Sequence, residues 1–90
     1  MKQFEIRARV YFVSSEGKVY DIDGIEQSLR KRKYLYFKGK LVHKLVASLY
    51  CSDYFEGCSI HHLDGNSYNN HIENLQVLTK EDHIKLHKLL

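Results

Sequence analysis

The stretch "IHHLDGNSYNNHIENLQVLT", residues 60–79, decides how this 90-residue chain reads. It opens on an apolar residue and two adjacent histidines, passes through a run of polar turn formers, and ends in Leu75, Gln76, Val77 and Leu78. Asp64-Gly65-Asn66 is turn chemistry, so a brief strand over Ile60 to Leu63 and a returning strand over Leu75 to Leu78 are expected on either side. Thr79 stands where a helix N-cap belongs. Glu81 and Asp82 follow in the first turn, where acidic side chains complement the helix dipole. On that helix His83, Leu86, His87 and Leu90 fall at i, i+3, i+4 and i+7, which turns both histidines toward the hairpin. A strand pair followed by a helix therefore carries four histidines on facing surfaces.

Imidazoles at i and i+4 lie roughly 5 to 6 Å apart and can hold one ion in common. A third ligand has to come from elsewhere, and the pair His61-His62 is the candidate. Successive strand residues point to opposite sides, so one of the two can face a metal while its neighbour handles a proton at a substrate.

Upstream of this unit the chain reads as strands and one short helix. Phe4, Ile6, Ala8, Val10 and Phe12 alternate with Glu5, Arg7, Arg9 and Tyr11, the period of one half-buried strand. Ser14-Ser15-Glu16-Gly17 turns it, Lys18 to Ile22 runs back, and Asp23-Gly24 ends that segment. Arg32 to Phe37 and Lys40 to Val42 flank a tight turn at Lys38-Gly39. Val42, Leu45, Val46 and Leu49 predict a short amphipathic helix, which His43 begins as a structural residue or a phosphate contact. A polar loop covers Ser52 to Gly57. Asn69 and Asn70, like Asp64 to Asn66, read as turn residues.

Composition bounds the function. With 43% hydrophobic residues, the chain suffices for one small core, so a single domain over 1–90 is expected. Its opening, Met1-Lys2-Gln3, carries no basic-then-apolar leader and leads into no membrane-length apolar run, so a soluble, cytoplasmic protein with no membrane partner is expected. Cys51 and Cys58 lack the close pairing of a zinc knuckle or redox motif and read as buried free thiols. The net charge of +3 is uneven: residues 1–44 carry +6 and residues 45–90 carry −3. Arg30, Lys31, Arg32, Lys33, Lys38, Lys40 and Lys44 crowd into one stretch, interleaved with Tyr34, Tyr36 and Phe37. That mixture suits a polyanion with stackable bases, and Arg30, Lys31, Arg32, Lys33, Lys38 and Lys40 are the expected DNA-binding residues.

The blocks "VHKLV", "IHHLDGNSYNNHIENLQVLT" and "EDHIKLH", over about residues 41–87, together resemble the HNH endonucleases with their ββα-metal fold. The upstream "YFVSSEGKVYDI" is similar to a module that precedes this domain in phage and intron homing enzymes. The resemblance implies an α+β fold: N-terminal antiparallel strands and a short helix (1–50, the basic DNA-binding part), then the ββα-metal motif (58–90). It makes His62 the general base and His61 the ligand before it. Asn74 becomes the central asparagine, His83 the helix ligand, and His87 the extra ligand of the histidine-rich branch that looks like bacterial nuclease toxins.

Phosphodiester hydrolysis needs a deprotonated water and a cation that stabilises the developing charge. A neutral imidazole near its usual pKa of roughly 6.5 can take the proton, provided its other ring nitrogen donates to a fixed acceptor. By analogy that acceptor is a loop backbone carbonyl, held in place by the two-sided amide of Asn74. One divalent ion is expected on His61, His83 and His87. An imidazole shell suits zinc, nickel, cobalt or manganese, while magnesium serves relatives with Asp or Asn at the position of His61. The expected function is metal-dependent cleavage of DNA, duplex DNA being the expected partner, by a monomer or homodimer in the cytoplasm of the host cell if phage-encoded. The alternative is a non-catalytic nucleic-acid-binding module whose ββα unit and metal are structural.

Overall fold

The computed structural model describes residues 1–89, apart from the side chains of His87 and Leu89. It is α+β. Strands β1 (Lys2–Ile6), β2 (Arg9–Val13) and β3 (Val19–Tyr20) form one antiparallel sheet, and β4 (Arg30–Lys31), β5 (Leu35–Phe37) and β6 (Lys40–Leu41) form a second. Helix α1 (Val42–Tyr50) follows directly. The last unit is the antiparallel pair β7 (Ser59–His62) and β8 (Leu75–Leu78), then helix α2 (Lys80–Leu89).

Two expected strands prove to be hairpins. The run Phe4 to Phe12 breaks at Arg7-Ala8, which take φ of 51° and 65°, a left-handed pair of the kind that closes two-residue hairpins. Asn and Gly usually signal such a turn, and neither is present, so alternation reads straight through it. The turn also reverses which residues point inward. Phe4 pairs with Tyr11 and Ile6 with Arg9, so Tyr11 and Val13 join Ile6 in the core instead of Val10 and Phe12. The run Arg32 to Phe37 likewise bends at 32–34, where the Arg32 N–H donates to the Tyr34 carbonyl at 3.0 Å. The expected turn at Lys38-Gly39 is present, with φ of 47° and 81°.

One core joins these pieces. Val13 and Val19 from the first sheet, Phe37 from the second, Val42 and Val46 from α1 and Leu75 from β8 form a single buried cluster with Ile6 and Tyr11. Val13, Val19, Val42 and Val46 are fully buried, each contributing roughly 1.5–3 kcal/mol by leaving water. Helix α1 is the pivot: Tyr50 donates its hydroxyl to the Val13 carbonyl at 2.7 Å, while Val42 and Val46 reach the core. It also buries His43 and Ala47, a wider face than the expected Val42, Leu45, Val46, Leu49 stripe.

The last unit follows its sequence closely. Strand β8 has the expected bounds, β7 begins one residue earlier, and the Thr79 hydroxyl caps α2 by accepting from the Asp82 N–H at 3.0 Å. Before β8 the chain makes one 3-10 turn, Ile72–Asn74, where His71 Nδ1 accepts from the Glu73 N–H. His71 thus serves as a cap. No helix among the described residues is long and apolar enough to cross a membrane.

Candidate active site

His61 and His62 close strand β7, opposite Gln76 and Leu75. Because consecutive strand residues alternate, they part company there. His62 turns inward and is only 8% exposed. Its Nε2 lies 2.8 Å from Oδ1 of Asn70, which is 2% exposed. The acceptor expected from a backbone carbonyl is therefore a side-chain amide oxygen, because the loop folds Asn70 under the strand end.

Asn74 makes the expected two-sided tie. Its Oδ1 accepts from the Asp64 N–H at 3.0 Å, and its Nδ2 donates to Asp64 Oδ1 at 2.9 Å and to the Asn69 carbonyl at 2.8 Å. Asp64 also accepts from the Asn69 amide and the Asn66 N–H. These bonds, that from Asn69 first and then those from Asn66 and Asn74, hold its carboxyl below the usual range. The segment from Asp64 to Asn74 is thus a closed polar ring that fixes Asn70 behind His62.

His61 faces the other way, toward α2, which packs on β7 and β8. Its ring centroid lies 6.3 Å from that of His83. Both rings line one open cleft with Lys33, Tyr34, Ile60, His62, Gly65 and Ser67. Two imidazoles on one tetrahedral ion with metal–nitrogen bonds of about 2 Å have centroids about 5 Å apart, so this pair would take a shared metal once the rings close by about 1 Å. The third expected ligand, the side chain of His87, lies outside the described residues. Among those described, no group of three His, Cys, Asp or Glu side chains is gathered for a metal.

Behind His62 stands a second imidazole that sequence reasoning treated as a structural residue or a phosphate contact. His43, 8% exposed, packs edge-on against His62 with centroids 5.2 Å apart and against Tyr34 at 5.1 Å. Its Nδ1 is buried without a hydrogen-bond partner among the described residues. Burial first, then the charges of His62 and Lys44, lower its pKa from 6.5 to about 4. His43 is neutral at physiological pH.

The expected DNA-binding residues divide into two groups. Ser67 donates to the Lys33 carbonyl at 2.7 Å and the Tyr68 hydroxyl donates to the Arg32 carbonyl, which stitches the bend at 32–34 onto the histidine loop and puts Lys33 in the cleft. Lys31 lies over the Tyr68 ring at 5.9 Å. Arg30, Arg32 and Lys38 line a separate recess with Tyr36 and Gly39. Lys40 is exposed on β6. Lys38 also lines a neighbouring recess with Arg7, Arg9, Ile6 and Tyr11. Sequence reasoning missed Arg7 and Arg9 as partners of this patch, because a straight strand would have carried them away from it. Cys58 is buried and Cys51 half-buried, both free, and burial pushes the Cys51 thiol up.

A hairpin and helix that bring His61 and His83 together beside an inward His62, with Asn74 tying the loop between the strands, define the ββα arrangement. Residues 40–85 match the model of the HNH endonuclease family, and the chain belongs to that family. It is 35% identical over 86 residues to the DNA endonuclease I-HmuI of Bacillus phage SP01, covering 83% of this chain and 49% of the relative. It is also 43% identical over 42 residues to YosQ of Bacillus subtilis (strain 168), an SPbeta prophage-derived protein proposed by name to be an HNH homing endonuclease. That match covers 47% of this chain and 24% of YosQ. A solved structure reporting DNA binding and cleavage by the HNH homing endonuclease I-HmuI superposes with a TM-score of 0.77 at 32% identity, covering 98% of this chain and 58% of the other. The chain thus spans between a quarter and about half of the length of these curated relatives.

Proposed function

We propose that this chain binds DNA and hydrolyses its phosphodiester bonds with one histidine base and one divalent metal, as a single unit in which residues 1–50 grip DNA and residues 58–90 cut it. The observation that carries this reading is the division of labour at the end of β7. One imidazole is tied down from behind and opens on the same cleft as a facing imidazole pair.

An amide oxygen can only accept a hydrogen bond, so Asn70 Oδ1 selects the His62 tautomer with its proton on Nε2. Nδ1 then carries the lone pair and can take a proton from water. His61 and His83, with His87, would hold the divalent ion, which when bound supplies Lewis-acid stabilisation of the phosphorane and the leaving oxygen. Lys33, on the lip of the same cleft, offers a cation to the phosphate being cut. Arg30, Arg32 and Lys38, with Arg7 and Arg9 at the neighbouring hairpin tip, would carry the flanking backbone phosphates.

Nicking of supercoiled plasmid by the purified chain, with manganese, magnesium, zinc or nickel and with chelator, tests the reading. Metal-dependent conversion to open circles is expected. DNA binding without nicking in any metal would leave a non-catalytic binding module.

A further inference from the structure

The N-terminal sheet touches the catalytic loop at Asn70 and Ile72. The Ser14–Gly17 turn presses on Asn70: a Cβ at Gly17 would sit 2.8 Å from its Cβ and 3.3 Å from its carbonyl oxygen. Gly17 has φ +85°, so both the space and the backbone there require glycine. Immediately beside this contact the Ile72 N–H donates to the Ser15 carbonyl at 2.7 Å. The turn is itself rigid, since Ser14 Oγ accepts from the N–H groups of Glu16 and Lys18, and the Gly17 N–H donates to the Ser14 carbonyl.

Asn70 is an expensive residue to bury for packing alone. Its Oδ1 is used by His62, but its Nδ2 is buried with no partner among the described residues. Leucine would fill a similar volume without an orphaned donor. The amide has one evident use at this position, which is to present an acceptor to Nε2 of His62.

We propose that Asn70 is the positioning residue of the catalytic base and that the Ser14–Gly17 turn is its backstop. The first sheet is then part of the cleavage machinery as well as of the DNA-binding surface. Asn70 holds His62 in the Nε2–H tautomer and fixes its ring plane, and the turn keeps Asn70 from withdrawing. The proposal rests on His62 acting as the base.

Three variants of the full chain and one spectroscopic measurement test it. Asn70→Leu removes the acceptor and the orphaned donor together. Because it removes the unpaired Nδ2 but leaves His62 Nε2 without its acceptor, it should stay folded and melt near the wild-type temperature, and bind a duplex within about twofold, yet lose on the order of 100-fold or more in kcat for nicking. Asn70→Asp keeps an acceptor at the same place. It should melt lower, because it buries a charge, and still cleave at least tenfold faster than Asn70→Leu. Gly17→Ala should lower kcat while leaving duplex affinity unchanged.

Nitrogen-15 spectra of the neutral imidazoles in the metal-free protein should show His62 protonated at Nε2 in the wild type and mixed in Asn70→Leu. Unchanged kcat in a folded Asn70→Leu variant overturns the proposal. So does a folded Asn70→Asp as slow as Asn70→Leu, a Gly17→Ala variant with wild-type kcat, or a wild-type His62 protonated at Nδ1. Absence of nicking by the wild type itself would instead remove the nuclease reading, and the tautomer measurement would still decide whether Asn70 sets the ring.

Discussion

Replacing His43 by phenylalanine should make the fold resistant to acid. In the folded chain His43 is held neutral down to about pH 4, against 6.5 when unperturbed. The unfolded chain takes up a proton at this site as pH falls below about 6.5, while the folded chain refuses it until about pH 4. The unfolded state therefore binds more protons across that window, so stability is fully present above it and is lost as pH falls. At about 1.4 kcal/mol per pKa unit, this one residue removes about 1.4 kcal/mol by pH 5.5 and about 3 kcal/mol by pH 4. For a domain of this size that is a drop of roughly 10 to 20 °C in melting temperature.

Phenylalanine keeps the ring contacts with Tyr34 and His62 and removes an Nδ1 that has no hydrogen-bond partner among the described residues. The two proteins should be within about 1 kcal/mol of each other at pH 7, near the usual cost of a volume-conserving core change. Urea unfolding of both at pH 7, 5.5 and 4, with chelator to remove metal linkage and followed by far-ultraviolet circular dichroism, measures the divergence. Parallel loss of stability in the two proteins would refute the burial argument.

His62→Ala should abolish nicking while metal and DNA affinity stay near wild type, as titration calorimetry and gel shift would show; near-normal turnover would move the base elsewhere, His61 being the first alternative. Neutralising Arg30, Lys31, Arg32 and Lys33 together should weaken binding to every DNA sequence and flatten the plot of log affinity against log salt by up to about 3 to 4 units, so an unchanged slope would mark them as a solvated face. Adding Arg7→Gln and Arg9→Gln should flatten it further, if the two recesses that share Lys38 track one backbone. Removing both His83 and His87 should nearly eliminate metal binding. Equal affinity in wild type and double mutant, by calorimetric titration, would remove the histidine site.

What the sequence determined by itself was the local unit from β7 to α2. Asp64-Gly65-Asn66 turns the chain out of β7, Thr79 caps a helix, and the spacing of His83 from its cap turns it toward the strands. Each of these is decided within a few residues by backbone preference or helical period. That is why the bounds of β8 and the HNH resemblance were legible before any coordinates. The expectation that consecutive histidines would part in opposite directions followed in the same way from the pleat of a strand.

Tertiary structure decided how the rest of the chain meets that unit. The turn at Arg7-Ala8 carries no turn residue, so only the pairing of β1 with β2 reveals it, and only that pairing brings Arg7 and Arg9 beside Lys38. Asn70 was one polar residue among several in a loop. Its contact with His62, and with the Ser14–Gly17 turn more than fifty residues earlier, exists only in the folded chain. His43 reads as a helix residue until α1 is packed against Tyr34 and His62, and its neutrality comes from that burial. Turns, caps and helical faces depend on neighbours in sequence and can be read from it. Burial, the environment of a titrating ring and the acceptor behind a base depend on neighbours in space, which arise only when the sheets close over the core.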